Sequence, residues 1–258
     1  MFDVGGGAMY LRCTGTAAPT VVFDSALGMG ADEWNAIAPS IARTARVCVY
    51  DRKGVGRSAP PGREPHSPHA MADELHALLA RASIGGPYVL VGHSIGGITM
   101  RLFAAAHPDE VAGVVLVEAA DDPMVLWALM PKSAVDARRA ELDRSPEGLD
   151  LDTFVAAARE MHATSTSLGD KPLVILSRGK PDAPPTASPE VARQWLARWD
   201  AQQAELPTLA PGAVRVVAPT SGHMMQHDAP ALIIAAVEEV VHVVQHRQTR
   251  PRADAIRA

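Results

Sequence analysis

The chain is expected to fold as an α/β protein built on a mostly parallel, doubly wound sheet. Three observations carry that expectation. Short apolar runs recur at residues 20–23, 47–50, 89–91, 114–117, 173–176 and 214–217. They are continuous rather than alternating, as strands buried on both faces of a parallel sheet are. Stretches with helical spacing stand between them, and such alternation is the pattern of βα units joined by right-handed crossovers.

Taken in order, residues 2–4 and 8–13 read as a hairpin that turns at Gly5-Gly6-Gly7. Helices are expected over 71–82 after Ser67-Pro68, over 191–205 after Ser188-Pro189, and over 231–244 after Asp228-Ala229-Pro230. Each opens on a Ser or Asp with a Pro close by, where the missing N–H of proline costs nothing in the first turn. From 121 to 170 the strand rhythm stops. That stretch is rich in Ala, Leu and charge, with helical pieces at 125–130 and 151–161. It reads as a small helical cap inserted after the sixth strand, over the carboxyl edge of the sheet where open α/β folds bind ligands. The expected organisation is a core of 1–120 and 171–246, a cap of 121–170, and a disordered basic tail of 247–258.

The bulk composition excludes some functions. Lys and Arg number 24 against 29 Asp and Glu, and aromatic residues are 4% of the 258. Neither a nucleic-acid footprint nor a base-stacking surface is expected. The two cysteines, Cys13 and Cys48, lie in apolar strand-like runs and read as buried free thiols. Met1 to Gly7 has no basic and apolar leader pattern, and no apolar run reaches membrane-spanning length. A cytoplasmic protein with no membrane and no nucleic-acid partner is the expectation. No heptad or long apolar edge speaks to oligomeric state.

The chemistry centres on Gly92-His93-Ser94-Ile95-Gly96, which follows the apolar strand 88–91 and precedes a helical stretch at 98–106. A serine between strand and helix sits on a sharp, strained turn that lifts its hydroxyl above the sheet. A serine hydroxyl needs a base, and His223 in Ser221-Gly222-His223 lies in the loop after the final strand, at the same sheet edge. His93 should point away by strand alternation and pack. His227 lies four residues past His223, yet no third ligand or H-E-x-x-H glutamate accompanies the pair, so no metal is expected. Two carboxylates compete to orient His223. Glu118 directly ends the strand 114–117 and is preferred; Asp182, in the Pro-rich loop 181–189, is the alternative. Oxyanion donors are expected at the Ile95 N–H and at Leu27 N–H in Asp24-Ser25-Ala26-Leu27-Gly28.

Together these residues resemble the α/β-hydrolase superfamily over about residues 4–244. The signatures are Asp24-Ser25-Ala26-Leu27-Gly28, Asp51-Arg52-Lys53-Gly54-Val55-Gly56-Arg57-Ser58, the turn at Ser94, and Ser221-Gly222-His223. The second resembles the D-x-x-G-x-G-x-S loop of small esterase-like members, where it is chiefly structural. Where many relatives carry His-Gly before the oxyanion donor, this chain has Ser25-Ala26. A serine nucleophile departs from the aspartate of haloalkane dehalogenases and epoxide hydrolases. An acid ending the sixth strand resembles the placement in zearalenone-lactone hydrolases.

The resemblance implies a cofactor-independent serine hydrolase of esters, thioesters or lactones, working through an acyl-enzyme. C–C bond hydrolysis or acyl transfer on the same triad, or small-molecule binding with residual hydrolysis, are the alternatives. Trp127, Met130 and Phe154 of the cap are candidate substrate contacts, which points to a small hydrophobic substrate.

Overall fold

The computed structural model describes residues 1–62, 66–119, 121–163 and 168–249. The strands are β1 (Phe2–Asp3), β2 (Ala8–Thr14), β3 (Thr20–Asp24), β4 (Arg46–Asp51), β5 (Tyr88–His93), β6 (Val111–Val117), β7 (Leu173–Arg178) and β8 (Val214–Ala218). The helices are α1 (Ala38–Ile41), α2 (Pro68–Arg81), α3 (Ile95–Ala106), α4 (Met124–Trp127), α5 (Lys132–Leu142), α6 (Leu151–Ala163), α7 (Pro189–Glu205), α8 (Met225–Asp228) and α9 (Pro230–Thr249).

One sheet runs in the order β1-β2-β4-β3-β5-β6-β7-β8. β2 pairs antiparallel with β4, and β3 to β8 are parallel. Alternate residues of the central strands enter opposite cores. Val22, Leu90, Val114 and Leu116 pack with Leu75, Leu79, Ile98 and Phe103 of α2 and α3. Val21, Val89, Val91, Val115 and Val117 pack with Ile41 of α1 and Val237 and Val241 of α9. Burial on both faces explains why these strands read as continuous apolar runs. β8 differs because it is the edge strand: Val214 and Val217 are about half exposed, at 52% and 48%.

Serines cap two of the helices where the sequence places their starts. Ser67 Oγ accepts the Ala70 N–H, and Ser188 Oγ accepts the Val191 N–H. α5 is an addition to the sequence reading, and α9 continues to Thr249, five residues past the expected end and into the expected tail. The rest of that tail, 250–258, lies outside the described residues.

Cys13 and Cys48 are not free thiols. They are direct partners in the antiparallel β2–β4 register, 4.1 Å apart at Cα, and form a disulfide. Antiparallel pairing brings the two side chains to the same face at short range, which strand runs read singly do not reveal.

The topology also marks where a ligand crevice is expected. The chain goes from β3 to β4 on one side of the sheet, then returns past β3 to β5 on the other. The crevice at the carboxyl ends of β3 and β5 is therefore a switch point, flanked by the loop at 24–28 and by Ser94.

Candidate active site

Ser94 joins β5 to α3 with φ 55° and ψ −120°, a strained left-handed conformation for a non-glycine residue. Its neighbours must be glycine because backbone crowds them. A Cβ on Gly92 would meet Gly96 O at 2.4 Å, and one on Gly96 would meet Asp24 O at 2.7 Å. The second contact seats the first turn of α3 directly on the loop after β3. The Ser94 N–H donates to Val117 O at 3.2 Å, which ties the turn to the end of β6.

The loop after β3 is held on both sides of Leu27. The Ala26 N–H donates to Glu33 Oε2 at 3.0 Å, and the Gly28 N–H donates to Glu147 Oε1 at 2.5 Å. Leu27 N–H, between them, has no acceptor among the described residues, and neither does Ile95 N–H at the start of α3. Underneath lies a buried charge cluster. Arg52 pairs with Asp24 and Glu147, and its guanidinium also donates to Ser25 O and Ala26 O, both at 2.7 Å. Burial raises the Asp24 carboxyl above its ordinary range, against the pull of Arg52. Arg52 belongs to the loop 51–58, whose Asp51 accepts the N–H groups of Ala31 and Arg57.

His223 follows β8 in a loop braced by Gly222 N–H donating to Asp228 Oδ2 at 2.7 Å and by Lys180 N–H donating to Ser221 O at 2.9 Å. The first of these bonds, aided by Lys180, holds Asp228 below the usual carboxylate range. His223 Nδ1 stands 3.7 Å from Glu118 Oε1. Glu118 is fully buried at the end of β6, with φ 45°; its N–H donates to Leu176 O and its Oε2 accepts the Arg178 N–H at 2.8 Å. Asp182 also pairs with Arg178, 3.5 Å from the same Nη1, and is 55% exposed at the cavity that Ser94 and His223 line. Arg178, which pairs with both carboxylates, lies over the Trp199 ring at 4.4 Å.

Ser94, Ile95, Leu27 and His223 line one cavity of about 280 Å³. Ser94 and His223 make no hydrogen bond to each other. Its walls include Leu126 and Trp127 of α4, Leu142 of α5, Phe154 of α6, and Trp195 and Trp199 of α7. Of the three expected cap contacts, Trp127 and Phe154 reach the cavity. Met130 does not: past the end of α4 it lines a separate hollow with Leu129 and Pro131. Arg52, Glu147, Glu33, Arg178, Trp195 and Trp199 were not singled out from the sequence. Only the Trp195–Trp199 pair, one helical turn apart, carried a usable signal there.

Among the described residues one group has the makings of a metal site, His76, His107 and Glu110, partly exposed on a different part of the fold. The two imidazoles stack at 3.8 Å with an interplanar angle of 10°, so their in-plane lone pairs run parallel rather than converging on one ion. His223 and His227 belong to no such group.

A family model for the alpha/beta hydrolase fold matches residues 19–171. The chain belongs to the alpha/beta hydrolase family. The protein YqjL of Bacillus subtilis is 24% identical over 226 residues, covering 88% of this chain and 85% of that protein. Among solved structures, an esterase from Thermogutta terrifontis superposes with TM-score 0.61 at 24% identity, covering 92% of this chain and 94% of that one. Est816, described as an N-acyl homoserine lactone degrading enzyme, gives TM-score 0.68 at 19% identity over 92% of this chain and 98% of its own. Likeness at these identities speaks to the fold. The family makes the chain a hydrolase. No helix among the described residues is long and apolar enough to cross a membrane.

Proposed function

We propose that this hydrolase cleaves a carboxylic ester, thioester or lactone through a covalent acyl-enzyme on Ser94. The carrying observation is the meeting of Ser94, His223 and the two unpaired amides of Leu27 and Ile95 in one cavity. Ser94 Oγ attacks the carbonyl carbon while His223 takes its proton. Leu27 and Ile95 amides receive the oxyanion, each worth about 3 kcal/mol in the transition state. His223 returns the proton to the leaving oxygen or sulfur, then activates water to release the acyl group.

Glu118 is the acid that orients His223. Its Oε1 stands 3.7 Å from Nδ1; Arg178 pairs with both carboxylates, but among the described residues only Glu118 also pairs with His223. The segment 121–170 acts as the cap, since α4, α5 and α6 supply much of the cavity wall. A volume near 280 Å³ is at the small end for ligand pockets and lined largely by apolar groups, which suits a medium acyl chain or a small lactone ring. The esterase and lactone-degrading descriptions of the structural neighbours agree with this reading.

The test is hydrolysis of p-nitrophenyl esters from acetate to octanoate by the wild type and Ser94→Ala. Turnover that peaks at a middle chain length and vanishes in Ser94→Ala supports the proposal. Turnover that persists in Ser94→Ala overturns the mechanism, and best turnover with acetate overturns the acyl-length preference.

A further inference from the structure

Next to the cavity, but not lining it, lies a second acid–histidine pair, buried, with the His93 ring 5.0 Å from that of His223. His93 and Glu33 both have fully buried side chains. His93 Nδ1 hydrogen-bonds to Glu33 Oε1, and His93 Nε2 lies 2.9 Å from the backbone oxygen of His223. The other carboxylate oxygen of Glu33 accepts the Ala26 N–H at 3.0 Å.

The partners settle where the protons are. A carbonyl oxygen only accepts, so His93 Nε2 carries a hydrogen and donates it to His223 O. Nδ1 faces a carboxylate, so a proton also lies between Nδ1 and Glu33 Oε1. Charge-assisted bonds of this kind, shielded from water, are among the strongest that a fold can place.

The contacts fall at telling places. Ala26 precedes Leu27, whose N–H is a proposed oxyanion donor. His93 precedes Ser94. The accepted carbonyl belongs to His223 itself. We infer that Glu33 and His93 are positioning residues: one buried pair that sets the spacing of the oxyanion loop, the nucleophile turn and the base loop. The inference rests on the serine-hydrolase reading above. His93 is bonded on through its backbone to Ser94, so any slackening of the His223 carbonyl changes the Ser94–His223 separation directly. Trp34, next to Glu33 in the short 3-10 helix Ala31–Trp34, ties that helix to the oxyanion loop, because its Nε1–H donates to Ser25 Oγ at 3.0 Å.

The probe is an alkyl fluorophosphonate. Ser94 Oγ forms a bond to phosphorus, the P–F bond breaks, fluoride leaves, and His223 takes the serine proton. Labelling rates are measured on the full chain for the wild type, Ser94→Ala, His93→Phe, Glu33→Leu and Glu33→Gln, with folding checked by circular dichroism and thermal melting. His93→Phe and Glu33→Leu should label about 10- to 100-fold more slowly, the scale of a misplacement near 1 Å. On a p-nitrophenyl ester the same variants should lose kcat while KM stays within about threefold, since neither side chain reaches the cavity. Glu33→Gln should label within about threefold of the wild type, because its carbonyl can accept from Ala26 and its amide can donate to a neutral His93.

Should the Phe and Leu variants fail to fold, Glu33→Asp replaces them. Shortened by one methylene, it cannot reach Ala26 and His93 together and should label about tenfold more slowly. Folded His93→Phe, Glu33→Leu or Glu33→Asp protein reacting at the wild-type rate would overturn the inference, as would Glu33→Gln being as slow as Glu33→Leu. Failure of the underlying reading looks different: Ser94→Ala labelled as fast as the wild type, or a wild type that never labels.

Discussion

Glu147 is the residue through which the segment between α5 and α6 grips the loop after β3, and Glu147→Ala measures that grip. Its carboxylate accepts from Arg52 Nε at 2.7 Å, from Arg52 Nη2 at 3.1 Å and from the Gly28 N–H at 2.5 Å. Both side chains are buried, with 2% of Arg52 and none of Glu147 exposed. Removing one member of a buried pair strands the other and costs about 3–5 kcal/mol. Arg52 would keep Asp24 and the carbonyls of Ser25 and Ala26, so the lower end, about 3 kcal/mol, is expected. At this chain length that is a fall in Tm on the order of 10 °C.

The same change frees the Gly28 N–H beside Leu27, so kcat on a p-nitrophenyl ester should fall by about tenfold or more. Urea denaturation of the wild type, Glu147→Ala and Glu147→Gln gives the energies. Glu147→Gln should be intermediate, because its amide oxygen still accepts one bond. An Ala variant within about 1 kcal/mol of the wild type, with unchanged kcat, would refute the claim that this cluster anchors the loop.

Three further outcomes follow from the geometry. Glu118→Gln should lower kcat by about 10³- to 10⁴-fold in steady-state ester assays, whereas Asp182→Asn should change it by less than about tenfold; the reverse ranking would move the triad acid to Asp182. Thiol titration of unfolded, unreduced protein should find no free cysteine, and breaking Cys13–Cys48, 35 residues apart, should cost about 4 kcal/mol in the loop-entropy account. The folded Asp228 carboxyl titrates below its ordinary value, so the bond it accepts from Gly222 contributes above the unfolded value of 3.8 and is lost as pH falls through the lower folded value. Asp228→Asn should therefore be less stable than the wild type at pH 7, with the gap closing toward pH 3; a gap that widens in acid would contradict that assignment.

The strands were legible because burial on both faces leaves an unbroken apolar run, as in Val114-Val115-Leu116-Val117. Ser67-Pro68 and Ser188-Pro189 marked helix starts for a local reason, a side chain capping an amide three residues on. α5 escaped notice because Lys132, Asp136, Arg138, Arg139 and Glu141 dominate it, and of its side chains only Leu142 is buried. The disulfide depends on β2 lying against β4, a pairing between strands that no single run announces. His93 was read as a packing residue and is buried, but its partner Glu33, like Arg52 and Glu147, was illegible for a related reason. Charged residues are usually solvated, and their burial becomes visible only when distant segments close around them. Ser94 and His223 stood out because their motifs are local. Glu118 was preferred to Asp182 from its place at a strand end, whereas the pairing of both carboxylates with Arg178 depends on a residue that no motif marks.

The most direct test of the central claim is peptide mass mapping after brief reaction of the native protein with an alkyl fluorophosphonate. The account predicts one adduct per chain, on the peptide carrying Ser94, lost in Ser94→Ala and strongly slowed in His223→Ala. An adduct on any other residue, or none while the enzyme turns over esters, would contradict it.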